Sequence, residues 1–361
     1  MFARTSIRSF STTVPKAVKV TTVEAPGSGV SSLKVIVKNA GSKASAPGLA
    51  HLLASSSFLN TEARSGLRLK RESELLGGEY KASVTRDSLV LEAKFLKEAL
   101  PYYVNAIGDV LTGTLFRPHE LAEIALPYSK TEAAAANSSP EFKALEALHA
   151  ITFRTGLGKP LYYDGSKSYT SEDIAQFAKS VFLDGNVEVI GLNVVEADLK
   201  KFISESPLSK LPAGETSPAP QKSVAGQDAR IRQAGPTSAV IGVAASDVAT
   251  YSLLAAYAKS SLPASSSAAV DAKVVPYDGA ALFYISITSP SGTETGALVS
   301  KAAKLLKEAK GLSKYKALAT YNQAAQGFTV DISAAKDSVS VPKFNLAVVG
   351  DVDAVPYADE L

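Results

Sequence analysis

Few side chains in this sequence could do chemistry. Its 361 residues include three histidines, His51, His119 and His149, and no cysteine. Without thiols there is no disulfide, no thiolate zinc or iron–sulfur ligation and no cysteine nucleophile. A metal centre would have to combine imidazole with carboxylates. Serines are plentiful, yet no histidine is placed to complete a recognisable Ser-His-acid triad. Gly156-Leu-Gly158-Lys159-Pro160 superficially matches a phosphate loop, but it lacks the first glycine and the Ser/Thr after lysine. Pro160 has no N–H to offer a phosphate, so the stretch is read as a turn before Leu161-Tyr162-Tyr163. His149 reads as structural, and His119, beside Pro118, as a loop or helix-start residue.

The elements that must position these residues come in two similar sets. Residues 33–38 alternate with the period of a strand, and 239–243 open the second half in the same way. Helical stretches follow at 46–59 and 248–262, then strands at 87–93 and 281–288. A long amphipathic helix comes next in each half. In the first, Leu100, Tyr103, Val104, Ile107, Val110 and Leu111 share a face, and Pro101 sits near its start, where a missing N–H costs little. In the second, Leu298, Ala302, Leu305 and Ala309 do the same. Strands at 187–195 and 344–349 close the halves. Between them, 204–227 holds four prolines with Ser, Gly and Lys and few large apolar residues, the composition of a linker. The expectation is an α+β chain of two homologous domains, 17–203 and 228–361, each a mixed or antiparallel sheet packed with helices.

Composition narrows the function classes. With 46% hydrophobic and 20% charged residues the chain is a folded one. No stretch approaches the ~18 uninterrupted apolar residues of a membrane-spanning helix. The N-terminus, MFARTSIRSFSTTVPKA, is rich in Ser, Thr and Arg and has no acid before Glu24. Those are the marks of a mitochondrial transit peptide, expected over 1–16. Asn137-Ser138-Ser139 is formally a glycosylation sequon, without meaning on a matrix route. Cleavage after Phe10 leaves 36 basic against 35 acidic residues, and cleavage after Lys16 leaves 35 against 35. Nucleic-acid binding loses its electrostatic support either way.

The most informative segment is Gly48-Leu-Ala-His51-Leu-Leu-Ala54-Ser55-Ser-Ser-Phe58-Leu-Asn-Thr61. It resembles the inverted-zinc segment of the pitrilysin/insulinase metallopeptidases, roughly G-x-A-H-x-x-E-H-x-x-F-x-x-T. The resemblance continues through Leu76-Gly-Gly-Glu-Tyr-Lys-Ala-Ser-Val-Thr-Arg86-Asp to Phe116. It resumes at Pro140, Leu148-His149-Ala-x-x-Phe153 and Leu157-Gly158-Lys-Pro160, so it spans nearly all of the first domain, with a looser match in the second. In that family two histidines four apart bind zinc, the glutamate before the second is the general base, and a distant glutamate is the third ligand. By this resemblance His51 is the first ligand, while Ala54 stands at the base position and Ser55 at the second ligand position. Glu132 falls about where the distant glutamate belongs. A methyl group cannot take a proton from water, and Ser55 is a poor zinc ligand. The resemblance therefore implies a degenerate site with no catalytic residue, no metal and no cofactor of its own.

A degenerate peptidase fold with a mitochondrial address resembles the core subunits of ubiquinol–cytochrome c reductase, respiratory complex III, in a short fungal form. That implies a structural role on the matrix side of the inner membrane, peripheral to the bilayer and paired with another core subunit beneath cytochrome b, in a dimeric complex. Haem b, haem c and the iron–sulfur cluster would reside in partner subunits. The alternative is the non-catalytic alpha subunit of the mitochondrial processing peptidase, whose mark is a long glycine-rich loop in the second domain. The corresponding stretch, Ser289-Pro-Ser-Gly-Thr-Glu-Thr-Gly296, has two glycines.

Overall fold

The computed structural model describes residues 18–24, 28–217, 220–262 and 267–361; the transit peptide expected over 1–16 lies outside them. Two five-stranded sheets organise the chain. The first contains β1 (Lys19–Val23), β2 (Val30–Lys38), β3 (Glu79–Val84), β4 (Ser88–Leu96) and β5 (Val187–Leu192), in the order β1-β5-β2-β4-β3. Only β1 and β5 are parallel there. In β2, Leu33, Val35 and Val37 are fully buried while Lys34 and Lys38 point outward, which is the period-2 pattern at work.

Helices α1 (Leu49–Ser55), α2 (Gly66–Leu75), α3 (Leu100–Gly113), α4 (Pro118–Glu120) and α5 (Leu126–Asn137) follow in the first half. After them come α6 (Pro140–Phe153), α7 (Ser171–Val181) and α8 (Glu196–Glu205). The inner face of the first sheet packs on α1, α3, α7 and α8, with Phe95 stacked on Tyr103 at 4.5 Å between ring centres.

The second sheet repeats the plan, with β6 (Asp228–Arg232), β7 (Thr237–Ala244), β8 (Ala269–Tyr277), β9 (Ala280–Ser289) and β12 (Asn345–Gly350) in the order β6-β12-β7-β9-β8. Here β6 is the parallel neighbour of β12. Helices α9 (Val248–Ser261) and α10 (Gly292–Lys307) cover one face, α11 (Lys316–Ala325) packs on α9, and β10 (Ala309–Lys310) pairs with β11 (Ser338–Val339). The other face is covered by α6, a helix from the first half of the sequence. Ala144, Leu148, Phe153 and Leu157 pack there on Val240, Leu282, Tyr284, Ala347 and Val349.

Several boundaries differ from the sequence expectation. The stretch 46–59 is helical only in α1, because Gly48 sits at φ 77° before it and Phe58 at φ 61° after it. The strand expected at 187–195 stops at Leu192, where Asn193 turns the chain with φ 56°. Ala309, expected on the face of the second long helix, lies beyond it and pairs with Val339 as part of β10. The stretch 204–227 joins the two sheets but is packed in its first part, where Leu208 and Leu211 lie in the first core. Ser289–Gly296 is the end of β9 and the start of α10, with the Ser291 hydroxyl accepting from the Glu294 N–H.

Candidate functional site

The four residues of the degenerate motif come together where α1 meets α5. Gly48 makes this approach possible: its left-handed φ starts α1, and a Cβ there would sit 2.8 Å from Cδ2 and 2.9 Å from Cα of Tyr163. With only hydrogen at that point, residues 161–163 lie against the first turn of α1. The Tyr163 backbone N–H then donates to Nδ1 of His51 at 3.0 Å.

From the other side α5 brings Glu132, whose Oε2 lies 2.9 Å from Nε2 of His51. A π turn at Leu121–Ala125 leads into α5, and Pro127 follows at once. Proline has no N–H for the carbonyl four residues back and its ring crowds it, so the helix widens there. Tyr128 donates to Glu132 Oε1 at 3.0 Å from one turn earlier, and the Tyr162 ring lies edge-on to the imidazole at 4.7 Å.

Because Nδ1 accepts the Tyr163 N–H, Nε2 carries the proton and donates to Glu132. His51 is only 2% exposed, and burial holds its pKa below the usual histidine value although Glu132 pulls the other way. The imidazole is thus neutral, with both nitrogens engaged. Ser55 is engaged as well, donating to the His51 carbonyl at 3.0 Å and accepting from Ser129 Oγ at 2.7 Å. Ala54 presents a methyl group. A catalytic zinc needs three protein donors and an open position. These residues offer an imidazole and one carboxylate already bonded to each other, so the donor set does not fit the ion. No group of three or more potential metal ligands occurs among the described residues.

The site opens onto a cleft of about 1070 Å³, bounded by α1, α2, α5 and the edge strand β3. Its walls carry Glu74, Glu79, Glu120 and Glu132 against Lys70 and Lys81. Ala54 gives the cleft no carboxylate at the base position of the motif, and the His51 imidazole is engaged at both nitrogens.

His149 lies elsewhere, in α6 against the second sheet, where Nδ1 meets the Leu145 carbonyl and Nε2 meets the Tyr277 hydroxyl, each at 2.8 Å. Burial is the main cause that takes its pKa down to about 3, with Arg86 adding to it. His119 is an exposed residue of α4. Sequence reasoning missed the network beside His149. Arg86, on the β3–β4 turn, ion-pairs with Glu146 of α6 and donates to the Leu157 and Lys159 carbonyls at 2.8 Å each. Lys43 bonds the Asp278 carbonyl on the β8–β9 turn, and the Asp278 N–H donates to Asp87 at 3.0 Å. Arg86 ties the β3–β4 turn to α6, while the Lys43 and Asp87 bonds to Asp278 join the first sheet directly to the second. Arg86 was visible only as part of a family segment, with no local sign of a partner 60 residues away.

Comparison with known proteins agrees with this geometry. The insulinase family pattern (peptidase family M16) matches residues 19–165. A crystal structure of a peptidase M16 inactive domain from Pseudomonas fluorescens superposes with a TM-score of 0.70 and 16% identity, over 95% of this chain and 97% of that one. It shows the fold alone. "Cytochrome b-c1 complex subunit 2, mitochondrial" of Debaryomyces hansenii is 44% identical over 382 aligned residues, covering 100% of both chains. The protein of the same name from Saccharomyces cerevisiae is 41% identical over 92% of this chain and 93% of its own. That from Yarrowia lipolytica is 33% identical over 95% and 84%. The chain belongs to the family of mitochondrial cytochrome b-c1 complex subunit 2 proteins, a family built on the M16 peptidase fold.

Proposed function

We propose that this chain is a non-catalytic structural and assembly subunit, core protein 2, of the cytochrome b-c1 complex, respiratory complex III, which passes electrons from ubiquinol to cytochrome c. The observation that carries this reading is likeness to the subunit 2 proteins along the entire chain. The bonded, neutral His51–Glu132 pair supports the non-catalytic part. No helix among the described residues is long and apolar enough to cross a membrane, in keeping with a peripheral position.

In this reading the protein lies on the matrix side of the inner membrane and pairs with core protein 1 within a dimeric complex, in contact with cytochrome b. Haem b, haem c and the iron–sulfur cluster are held by partner subunits, and this chain holds no cofactor. The domains are 17–203 and 228–361, joined by 204–227, with 1–16 removed on import. The processing-peptidase alternative is not favoured, since the full-length relatives are named as subunits of the cytochrome b-c1 complex.

The test is affinity purification of the tagged chain from detergent-solubilised mitochondria, followed by a reduced-minus-oxidised absorption spectrum. Bands of b- and c-type haem in fixed ratio to the chain are expected. A haem-free preparation holding a zinc-containing, presequence-cleaving partner would overturn the reading.

A further inference from the structure

The charge of this chain is unevenly placed. Lys301, Lys304, Lys307, Lys310, Lys314 and Lys316 fall within sixteen residues that hold one acid, Glu308, while the rest of 17–361 carries 29 basic against 34 acidic residues. All six lysines are exposed. They run from the last turns of α10 through β10 and the 3-10 turn Leu312–Tyr315 into the start of α11. Lys301, Lys304 and Lys307 are three apart and so share one side of α10. Exposed Lys336 joins them, since β10 pairs with β11 two residues further on and the neighbouring Asp337 accepts the Ser313 N–H at 2.8 Å. Lys307 also bonds the carbonyl of Leu361. The bordering acids, Glu308, Asp331, Asp337, Asp359 and Glu360, are outnumbered by the seven lysines, so the band stays net basic.

The composition of the band indicates what it meets. Its cations are all lysine, a compact and strongly hydrated charge, with none of the arginine that favours planar, bidentate protein contacts. Protein interfaces are depleted in lysine and need buried aromatic or apolar anchors at their centre. None of the exposed large hydrophobic residues lies between 301 and 316. The nearest is Tyr321, 70% exposed on α11, a residue type that settles at headgroup level. Clusters of four to eight lysines on a surface of this kind fit anionic headgroups, at about 1 kcal/mol each.

We propose that the lysine band of α10, β10 and α11 docks this subunit against an anionic phospholipid surface, as a salt-sensitive contact without deep insertion. It rests on the reading above only in that such a surface lies beside a membrane complex; vesicle binding and assembly are measured separately, so either can fail alone.

The test uses the full-length chain with Arg4→Gln, Arg8→Gln and Lys16→Gln in every sample, so that the basic N-terminus does not contribute. It is floated with vesicles of phosphatidylcholine containing about one-third phosphatidylglycerol. Expected are binding to these vesicles, none to pure phosphatidylcholine, and release by about 0.5 M salt. Lys304→Gln, Lys310→Gln and Lys314→Gln together should weaken binding about a hundredfold, near fivefold per lysine. Arginine at the same three positions should retain it, with unchanged melting curves throughout. Absence of binding by the parent, equal binding to neutral vesicles, or an unaffected glutamine variant overturns the proposal. Tighter capture of duplex DNA or of polyglutamate than of vesicles does so too.

Discussion

The two five-stranded sheets share a strand order but not an environment. In the first, β2 alternates between buried and outward positions, and the outward face carries charge, with Glu188 bridging Lys19 at 2.8 Å and Lys38 at 3.1 Å. In the second, β12 is buried at every position and β9 at nearly every one. The difference is α6. This helix leaves the first half of the sequence and lies on the second sheet so closely that a Cβ on Gly242 would come within 2.7 Å of both Leu148 Cδ2 and the Phe283 carbonyl oxygen. Two halves with one plan are therefore not two interchangeable units. The second sheet depends on a helix lent by the first half, while among the described residues no helix forms a core cluster on the outer face of the first sheet.

The largest effect should come from removing that cover. Leu148→Ala in the isolated chain is expected to cost about 3–5 kcal/mol in chemical denaturation, the usual range for a leucine buried on all sides. A cost no larger than that of a surface substitution would break the comparison.

Acid should act next, and through the same helix. The pKa of His149 is lowered from 6.5 to about 3 in the fold, so the folded chain holds it neutral while the unfolded chain binds a proton. Its contribution is then fully present above about pH 6.5 and falls as the pH drops toward 3, by about 2 kcal/mol at pH 5. His51, also lowered, works in the same direction. Denaturation midpoints across this range should fall less steeply for His149→Gln, and identical slopes would remove the histidine from the explanation.

The smallest effect belongs to the open face. Ile36 is half-buried there, and Ile36→Ala should cost about 1 kcal/mol in the isolated chain, well below the Leu148 substitution. A loss as large as that of Leu148→Ala would mean that the two faces are equally covered.

Much of this was legible in the sequence. In the first half, β2 and α3 showed their periods because each has one dominant buried face, whereas β7, β9 and β12, buried on both faces, showed as short apolar runs. The role of α6 did not show, since periodicity gives a buried face without saying which sheet covers it. Strands β1 and β6 were missed because each has only five residues, none of them fully buried. At the site, His51 and the Ala54 and Ser55 replacements were readable through the resemblance of 48–61 to the family segment. The position of Glu132, 81 residues from His51, followed only from family resemblance, and its bond to His51 came from the structure. The bond from the Tyr163 N–H left no trace, because a backbone donor has no side-chain signature.

The central claim is that a peptidase fold serves here for its packing and its old catalytic positions do no chemistry. Glu132→Gln tests it most directly, because glutamine keeps an acceptor for His51 and the side chain is 41% exposed. The measurement is ubiquinol–cytochrome c reductase turnover and haem content of the complex purified through this variant. Haem per subunit and turnover per haem equal to those of the unaltered complex are expected. A fall in turnover with haem content intact would contradict the account, by showing that the site takes part in the reaction.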